Sequence, residues 1–311
     1  MSVIFRSSGV EVVVPATSAN LGPGFDSLGL ALGVHDHVVA MVTEDPGFLV
    51  HIEGEGAGVL PTDEEHLVAR AMLAAWTAMS VDAPGVVIRC ANAIPQGRGM
   101  GSSASAIVAG IMLARGLVID GEELLPDDEV LGLATRMEGH PDNVAAALLG
   151  GFTTAWVDSD DEGAPHASAV THAVHAQIVP VVCVPQQPMA TSTARGMLDE
   201  RVDRADAVFN IGRVALLTHA LTEAPQMLFP ATEDRLHQQV RAAAYPESHA
   251  LMLALRARGI AAVISGAGPS VLALATTPAE VADALAQVPA DWQASVVAVD
   301  SAGARVHVRG V

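Results

Sequence analysis

Between Ile94 and Ala106 the chain reads Ile-Pro-Gln-Gly-Arg-Gly-Met-Gly-Ser-Ser-Ala-Ser-Ala, with glycines at 97, 99 and 101 running straight into Ser102 and Ser103. Residues of these types at this spacing can bind an anion. Glycine lacks the Cβ that would hold a ligand away from the backbone, and the first N–H groups of a helix have no partner inside it, so a phosphate can accept from both. The two serine hydroxyls stand where a magnesium ion beside those phosphates would find oxygen ligands. Glycine-rich turns between a strand and a helix are also common without a ligand. The length of the string, with Pro95 ahead of it and Ser-Ser-Ala behind it, is what points to binding.

All 16 basic residues are arginine. A Walker A loop and the protein-kinase fold both place a lysine on the phosphates, so neither fits this chain. The glycine spacing also departs from the G-x-G-x-x-G of dinucleotide-binding loops.

Three more groups carry polar chemistry. Ser18-Ala-Asn-Leu-Gly-Pro-Gly-Phe-Asp26 offers Asn20 and Asp26. They fit a turn that bonds its own backbone, or a loop pinned by Leu28, Leu30 and Leu32 that presents them to a cleft. Glu138-Gly-His-Pro-Asp-Asn143 places Glu138, His140, Asp142 and Asn143 in an otherwise apolar neighbourhood. It reads either as a polar loop with a helix cap or as a helix end holding Glu138 toward a metal. Arg195, Arg235 and Arg241 are the third group, although arginines are most often solvated. Arg235 and Arg241 are six residues apart and need not share a face.

These residues need a scaffold. Strands are expected at Val10–Thr17, Val34–Thr43, Gly85–Cys90, Phe152–Val157, Ala176–Val184, Ile260–Ile264 and Val271–Ala275, each β-branched or strongly apolar. Helices are expected at Glu64–Met79, at Ser102–Leu117, from a cap at Asp127-Asp128 to Glu138, at Val144–Leu149, and at Arg204–Leu221. Residues 158–172, which begin Asp-Ser-Asp-Asp-Glu-Gly, read as a polar surface connection between two halves. Ser265-Gly-Ala-Gly-Pro-Ser270 forms a tight loop between two strands, which a simple hairpin also explains.

The totals limit the partners. At 311 residues the chain can bury a large core, and two domains are expected. Half its residues are hydrophobic but only 3% are aromatic, so the core must be aliphatic. A formal charge of −19 argues against nucleic acid and against anionic membranes. Cys90 and Cys183 are too few and too isolated for a disulfide framework or a zinc site, and both read as buried core residues. With no targeting or membrane segment visible, a reducing cytoplasm is the expected compartment.

Taken in order, the segments Pro15–Asp26, Ile94–Ala106 and Ser265–Leu272 resemble the three motifs of the GHMP small-molecule kinases. Glu138–Ala145, Thr191–Arg195 and Asp234-Arg-Leu-His-Gln238 are similar to the homoserine kinases within that family, and the likeness spans nearly the whole chain. It implies an α+β fold of two domains, an N-terminal ribosomal protein S5-like ATP-binding domain over 1–168 and a C-terminal ferredoxin-like domain over 169–311. It also implies transfer of a phosphoryl group from Mg-ATP to the side-chain hydroxyl of L-homoserine, on the route to threonine, by a homodimer. By similarity, Pro95, Gly97, Arg98, Gly99, Gly101, Ser102 and Ser103 would hold the nucleotide, and Ser103 and Glu138 would hold Mg2+. Asn20, Asp26, His140, Asn143, Arg195 and Arg241 would line the amino-acid site, with Asp26 on the ammonium and the arginines on the carboxylate. Asn143 stands where some relatives carry an aspartate. An amide cannot accept a proton as a general base, so catalysis by alignment and charge stabilisation is expected, with the hydroxyl proton passing to the phosphate. Departures from the family pattern are small: Met100 where leucine is usual, and Ser105 where alanine is.

Two rivals stand beside this reading. A GHMP kinase for another small alcohol would share the phosphate loop, though Arg195 and Arg241 favour an amino acid. A non-catalytic ligand sensor would be expected to lack Ser103 or Glu138, and both are present.

Overall fold

The computed structural model describes residues 4–159, 165–189, 194 and 196–309. Its first sheet has seven strands: β1 (Val10–Ala19), β2 (Leu28–Thr43), β3 (Phe48–Gly54), β4 (Gly85–Asn92), β5 (Phe152–Ser159), β6 (Pro165–His172) and β11 (Arg305–Val308). The order is β11-β1-β2-β4-β3, and β5 joins β2 and carries β6 at its side. All pairs are antiparallel except β3 with β4. The register between β1 and β2 shifts at Pro15, which cannot donate to the ladder. From that point β2 is buried at every position from Leu28 to Leu32, not at alternate ones.

One face of this sheet is covered by α1 (Leu67–Ala78), α2 (Ser102–Leu117), α4 (Asp127–Glu138) and α5 (Pro141–Leu149), with the short α3 (Gly121–Leu124) between α2 and α4. The helix α2 is alanine-rich, so α1 and β1 approach it closely. Gly110 lies against the backbone of Val68, where a Cβ would come within 2.4 Å of the carbonyl oxygen. A second sheet, β10-β7-β9-β8, is built from β7 (Val179–Val184), β8 (Ala261–Ile264), β9 (Val271–Ala275) and β10 (Gln293–Val296). Helices α6 (Arg204–Thr222), α7 (Leu228–Ala231), α8 (Pro246–Ala257) and α9 (Pro278–Ala286) belong to this half. The strands β8 and β9 are buried on both faces and accordingly read as unbroken apolar runs. A core of Leu21, Leu28, Leu30, Met100 and Phe152 with Val182, Leu217, Val263 and Leu272 joins the two halves.

Three expectations are corrected. Within the expected connection 158–172, residues 160–164 lie outside the described residues and 165–172 form a strand of the sheet: β6 pairs with β5 from Phe152↔His172 to Ser159↔Pro165, and its Ala167 is buried against the helices. The strand crosses residue 168, and Arg305–Val308 returns from the far end of the chain to pair with β1. The helix expected from Glu64 starts at Leu67, because His66 is its N-cap and accepts from Val68 N. Pro126, not Asp127, precedes α4, so Asp127, Asp128 and Glu129 occupy its first turn, where they complement the helix dipole. Cys90 and Cys183 are buried and unpaired with each other, and burial pushes both thiols up to about 12. Among the described residues no helix is long and apolar enough to cross a membrane.

Candidate active site

The loop from Gln96 to Gly101 leaves β4 and enters α2. Gly97, Gly99 and Gly101 all have positive φ, at 64°, 69° and 70°, so the alternate glycines are a backbone requirement. At two of them the space is also closed. A Cβ on Gly101 would lie 1.9 Å from Thr17 Oγ1, and one on Gly99 would lie 2.3 Å from the Ser265 carbonyl oxygen.

The three glycine-bearing loops are stitched into one floor. Thr17 N donates to Met100 O at 3.0 Å, and Gly266 N donates to Ala19 O at 3.1 Å. Ser265 Oγ, fully buried, contacts Ser18 Oγ at 2.8 Å and Gly99 O at 2.5 Å. Ser105 Oγ donates to Pro15 O at 2.8 Å, which gives the unusual serine a partner that alanine could not offer. The Ser265–Ser270 turn is therefore both a hairpin between β8 and β9 and a wall of the site.

Above this floor lies a cavity of about 190 Å³. Gly97, Arg98, Gly99, Gly101, Ser102, Ser103, Asn20, Asp26, Glu138, His140, Asn143 and Arg241 all line it. Pro95 does not reach it, and Arg195 lies outside the described residues. The guanidinium of Arg98 donates to the carbonyls of Pro185, Gln186 and Gln96 at 2.7–3.1 Å, so it ties the glycine loop to the end of β7. Arg235 and Arg241 part company as their spacing allowed. Arg235 lies half exposed over Phe209, whereas Arg241 is 1% exposed, with its Nε donating to Ala194 O at 3.0 Å.

At the first turn of α2, Ser103 Oγ donates to Glu138 Oε1 at 2.6 Å across from the end of α4. A hydroxyl and a carboxylate side by side at a helix N-terminus form a hard-oxygen pair suited to magnesium. Gly139 ends α4 in the left-handed conformation and turns the chain so that Pro141 can start α5, with His140 as N-cap. Asn143 therefore sits inside the first turn of α5, where Thr17 Oγ1 donates to its Oδ1 at 2.8 Å.

Asn20 is both a turn residue and a cavity residue. Its Oδ1 accepts from Asp26 N at 2.9 Å and its Nδ2 donates to Gly266 O at 2.9 Å, while its backbone, like that of Asp26, has positive φ. The sequence placed Asp142 in the polar group without giving it a role, and did not mark Thr17 at all. Asp142 Oδ1 accepts from His140 Nδ1 at 2.6 Å and from Asn143 N at 2.7 Å, which orients both neighbours. Polar atoms of Asp26, His140 and Asp142 gather within 4.8 Å of one another, a patch suited to a cation. The signal for Asp142 was its place two residues after His140; Thr17 was hidden inside a strand pattern.

Comparison with known proteins agrees with this geometry. The family descriptions "GHMP kinases N terminal domain" and "GHMP kinases C terminal" match residues 66–151 and 213–294. The homoserine kinase of Streptomyces coelicolor is 54% identical over 303 residues, covering 97% of this chain and 96% of its own, and that of Clavibacter michiganensis is 49% identical over 96% and 94%. The crystal structure of homoserine kinase from Cytophaga hutchinsonii superposes with a TM-score of 0.80 at 26% identity, covering 98% of this chain and all of that one. A mevalonate kinase structure, 10% identical with a TM-score of 0.63 over 94% and 99%, shares the fold. With identity near one half along nearly the full length of both chains, and the same architecture throughout, this chain belongs to the homoserine kinases of the GHMP family.

Proposed function

We propose that the chain transfers the γ-phosphoryl group of ATP to the side-chain hydroxyl of L-homoserine. The observation that carries this reading is the meeting, in one cavity, of an anion-binding glycine loop with Asp26 and a buried Arg241. A free amino acid presents an ammonium and a carboxylate together. Asp26, His140 and Asp142 suit the first, and the guanidinium of Arg241 suits the second. Arg195 is assigned to the carboxylate by family likeness.

The loop N–H groups and Ser102 would cradle the triphosphate. Mg2+, where Ser103 and Glu138 would hold it, supplies positive charge to the transferring phosphoryl group. The nucleoside has room on the other side of the α2 N-terminus. There a cavity of about 180 Å³ shares Gln96, Ser102 and Ser103 with the first and is lined by Leu60, Pro61 and His66. His66 Nδ1 accepts from Val68 N, so its Nε2 carries the proton, and that N–H has no partner among the described residues. Burial lowers the pKa of His66 and keeps it neutral. A purine ring nitrogen would be a fitting acceptor.

Asn143 acts by position. Its Oδ1 is occupied by Thr17, and its Nδ2 can only donate, so it holds the acceptor oxygen and leaves the hydroxyl proton to the phosphate. Kinship also supports a homodimer working in the cytoplasm. The reading is tested by coupled ADP release with Mg-ATP and, in turn, L-homoserine, mevalonate, L-threonine or no acceptor. Turnover strongly preferring L-homoserine is expected. Turnover only with another alcohol would keep the kinase and remove the substrate, and nucleotide binding without acceptor-dependent turnover would remove both.

A further inference from the structure

The segment Asp234-Arg-Leu-His-Gln238 has no part in phosphoryl transfer, yet it is among the most fully bonded turns of the molecule. Asp234 Oδ2 accepts from the N–H groups of His237 and Gln238 at 3.0 and 2.8 Å, and its Oδ1 accepts from Leu236 N and Asn210 Nδ2, both at 2.9 Å. Burial alone would raise this carboxyl, but these donors hold its pKa below the usual value. The turn then reaches outward in three directions. His237 Nε2 donates to Gly22 O at 2.7 Å, Gln238 Oε1 accepts from Ile264 N at 2.7 Å, and Arg241 N donates to His237 O at 3.0 Å. His237 and Arg241 thus close one hydrogen-bonded turn, and both reach the ring of Phe25.

Phe25 lies between them. Its ring centroid is 5.2 Å from the His237 ring and 5.2 Å from the Arg241 guanidinium carbon. Asn210, held by Asp234, adds a bond from its Nδ2 to Pro23 O at 3.3 Å. The turn from Gly22 to Asp26 is therefore fixed to the segment that carries Arg241 by two carbonyl anchors and one ring.

We propose that His237, seated by Asp234, is a positioning residue for the acceptor site: it sets the spacing between Asp26 and Arg241 to that of an amino-acid head group. This inference rests on the amino-acid reading of the cavity. The choice of histidine follows from the surroundings. At 1% exposure a charged side chain would be costly, and burial, the largest influence, lowers the imidazole pKa against the opposing pull of Asp234 and keeps the ring neutral. Its Nε2–H can then anchor Gly22 without adding a charge that would compete for either end of the substrate. The cost is Nδ1, a buried acceptor without a partner among the described residues.

The test compares His237→Leu, which fills the volume without a donor, with His237→Gln, whose amide N–H can reach toward the same carbonyl. Loss of the anchor is expected to raise KM for L-homoserine about tenfold in His237→Leu, with KM for ATP changed less than about twofold, and His237→Gln is expected to recover most of the loss. A residue of purely structural value would move both KM values together, and that result would overturn the proposal. Amide hydrogen exchange of the unliganded protein supplies a readout independent of the acceptor. Residues 20–28 should exchange faster in His237→Leu while residues 97–103 stay protected, and equal protection at 20–28 would overturn the proposal. If the parent turned over no L-homoserine, the substrate reading would fall while the exchange data still decided the role of His237. Should His237→Leu not fold, Asp234→Asn, which loosens the seat of His237, must show the same split in KM on a smaller scale.

Discussion

The two ends of the cavity are made of different material. The phosphate end is backbone: glycines at 97, 99 and 101 with positive φ, stitched to neighbouring loops at Thr17, Ser265 and Gly266. The acceptor end is side chain: Asp26, the pair His140 and Asn143, and Arg241 come from three separate places in the chain, and each is oriented by another residue. A backbone site leaves a trace in sequence because only glycine satisfies it, whereas a side-chain site depends on neighbours that give no local sign. The two ends should also fail differently.

The largest effect is expected from Gly101→Ala. The methyl group would need a left-handed backbone and would sit 1.9 Å from Thr17 Oγ1, the hydroxyl that holds Asn143. The loop must move, and displacement of a reacting group by about 1 Å can cost about 10²-fold in rate. Gly97→Ala is the control. It has a similar φ of 64°, but its nearest new contact, Pro188 Cβ, is 3.3 Å away, so it carries backbone strain of about 1 to 2 kcal/mol without the collision. Steady-state kinetics should show kcat/KM for ATP falling at least about 10²-fold in Gly101→Ala and much less in Gly97→Ala. Equal losses would mean that φ alone, not close approach, decides the phosphate end.

A smaller effect, confined to the other end, is expected from Asn143→Asp. The new carboxylate would keep its bond from Thr17 but replace a donor that now lies 3.4 Å from Asp142 Oδ1, bringing two acids together beside the phosphates. We expect kcat to fall about 10- to 100-fold with KM for ATP changed little, consistent with loss of alignment. A severalfold rise in kcat at unchanged affinity would show that a base is useful at this position and would end the alignment reading.

The same contrast explains what could be read from sequence. The span of α2, the glycine loop and the burial of both cysteines were legible because periodicity, Gly and short apolar runs are local signals. Glu138 was legible as a carboxylate at a helix end, and its Ser103 partner was named for the same metal. What was not legible came from distance. The strand β6 looked like part of a linker because the stretch opens on polar residues, and whether the alanines that follow are buried depends on helices elsewhere in the chain. Residue type alone did not tell Arg241 from exposed Arg235; the family resemblance chose between them, and the physical difference lies in Phe25 and Ala194. Asp142 and His237 act through a neighbour, so residue type alone did not show what they do.

The smallest expected effect lies at the entry to the glycine loop and asks whether the phosphate end really depends on backbone rather than charge. Asp36, on β2, is buried, and its Oδ1 accepts from Ala93 N at 2.7 Å and Ile94 N at 2.9 Å, just ahead of the loop. Burial, the larger influence, pushes this carboxyl up to about 6 against those two bonds. The folded protein therefore keeps the proton to about pH 6, whereas the unfolded chain releases it near 3.8. Between these values the folded state binds more protons, so stability falls as pH rises through this window and stays reduced above it. Asp36→Asn retains an oxygen for both N–H groups and removes the charge. Thermal denaturation at pH 4, 6 and 8 should find the variant more stable at pH 8, by at most about 3 kcal/mol, with the advantage shrinking toward pH 4. A variant less stable at pH 8 would mean that the ionised carboxylate, and not an oxygen in the right place, anchors the loop; the phosphate end would then share the side-chain dependence of the acceptor end.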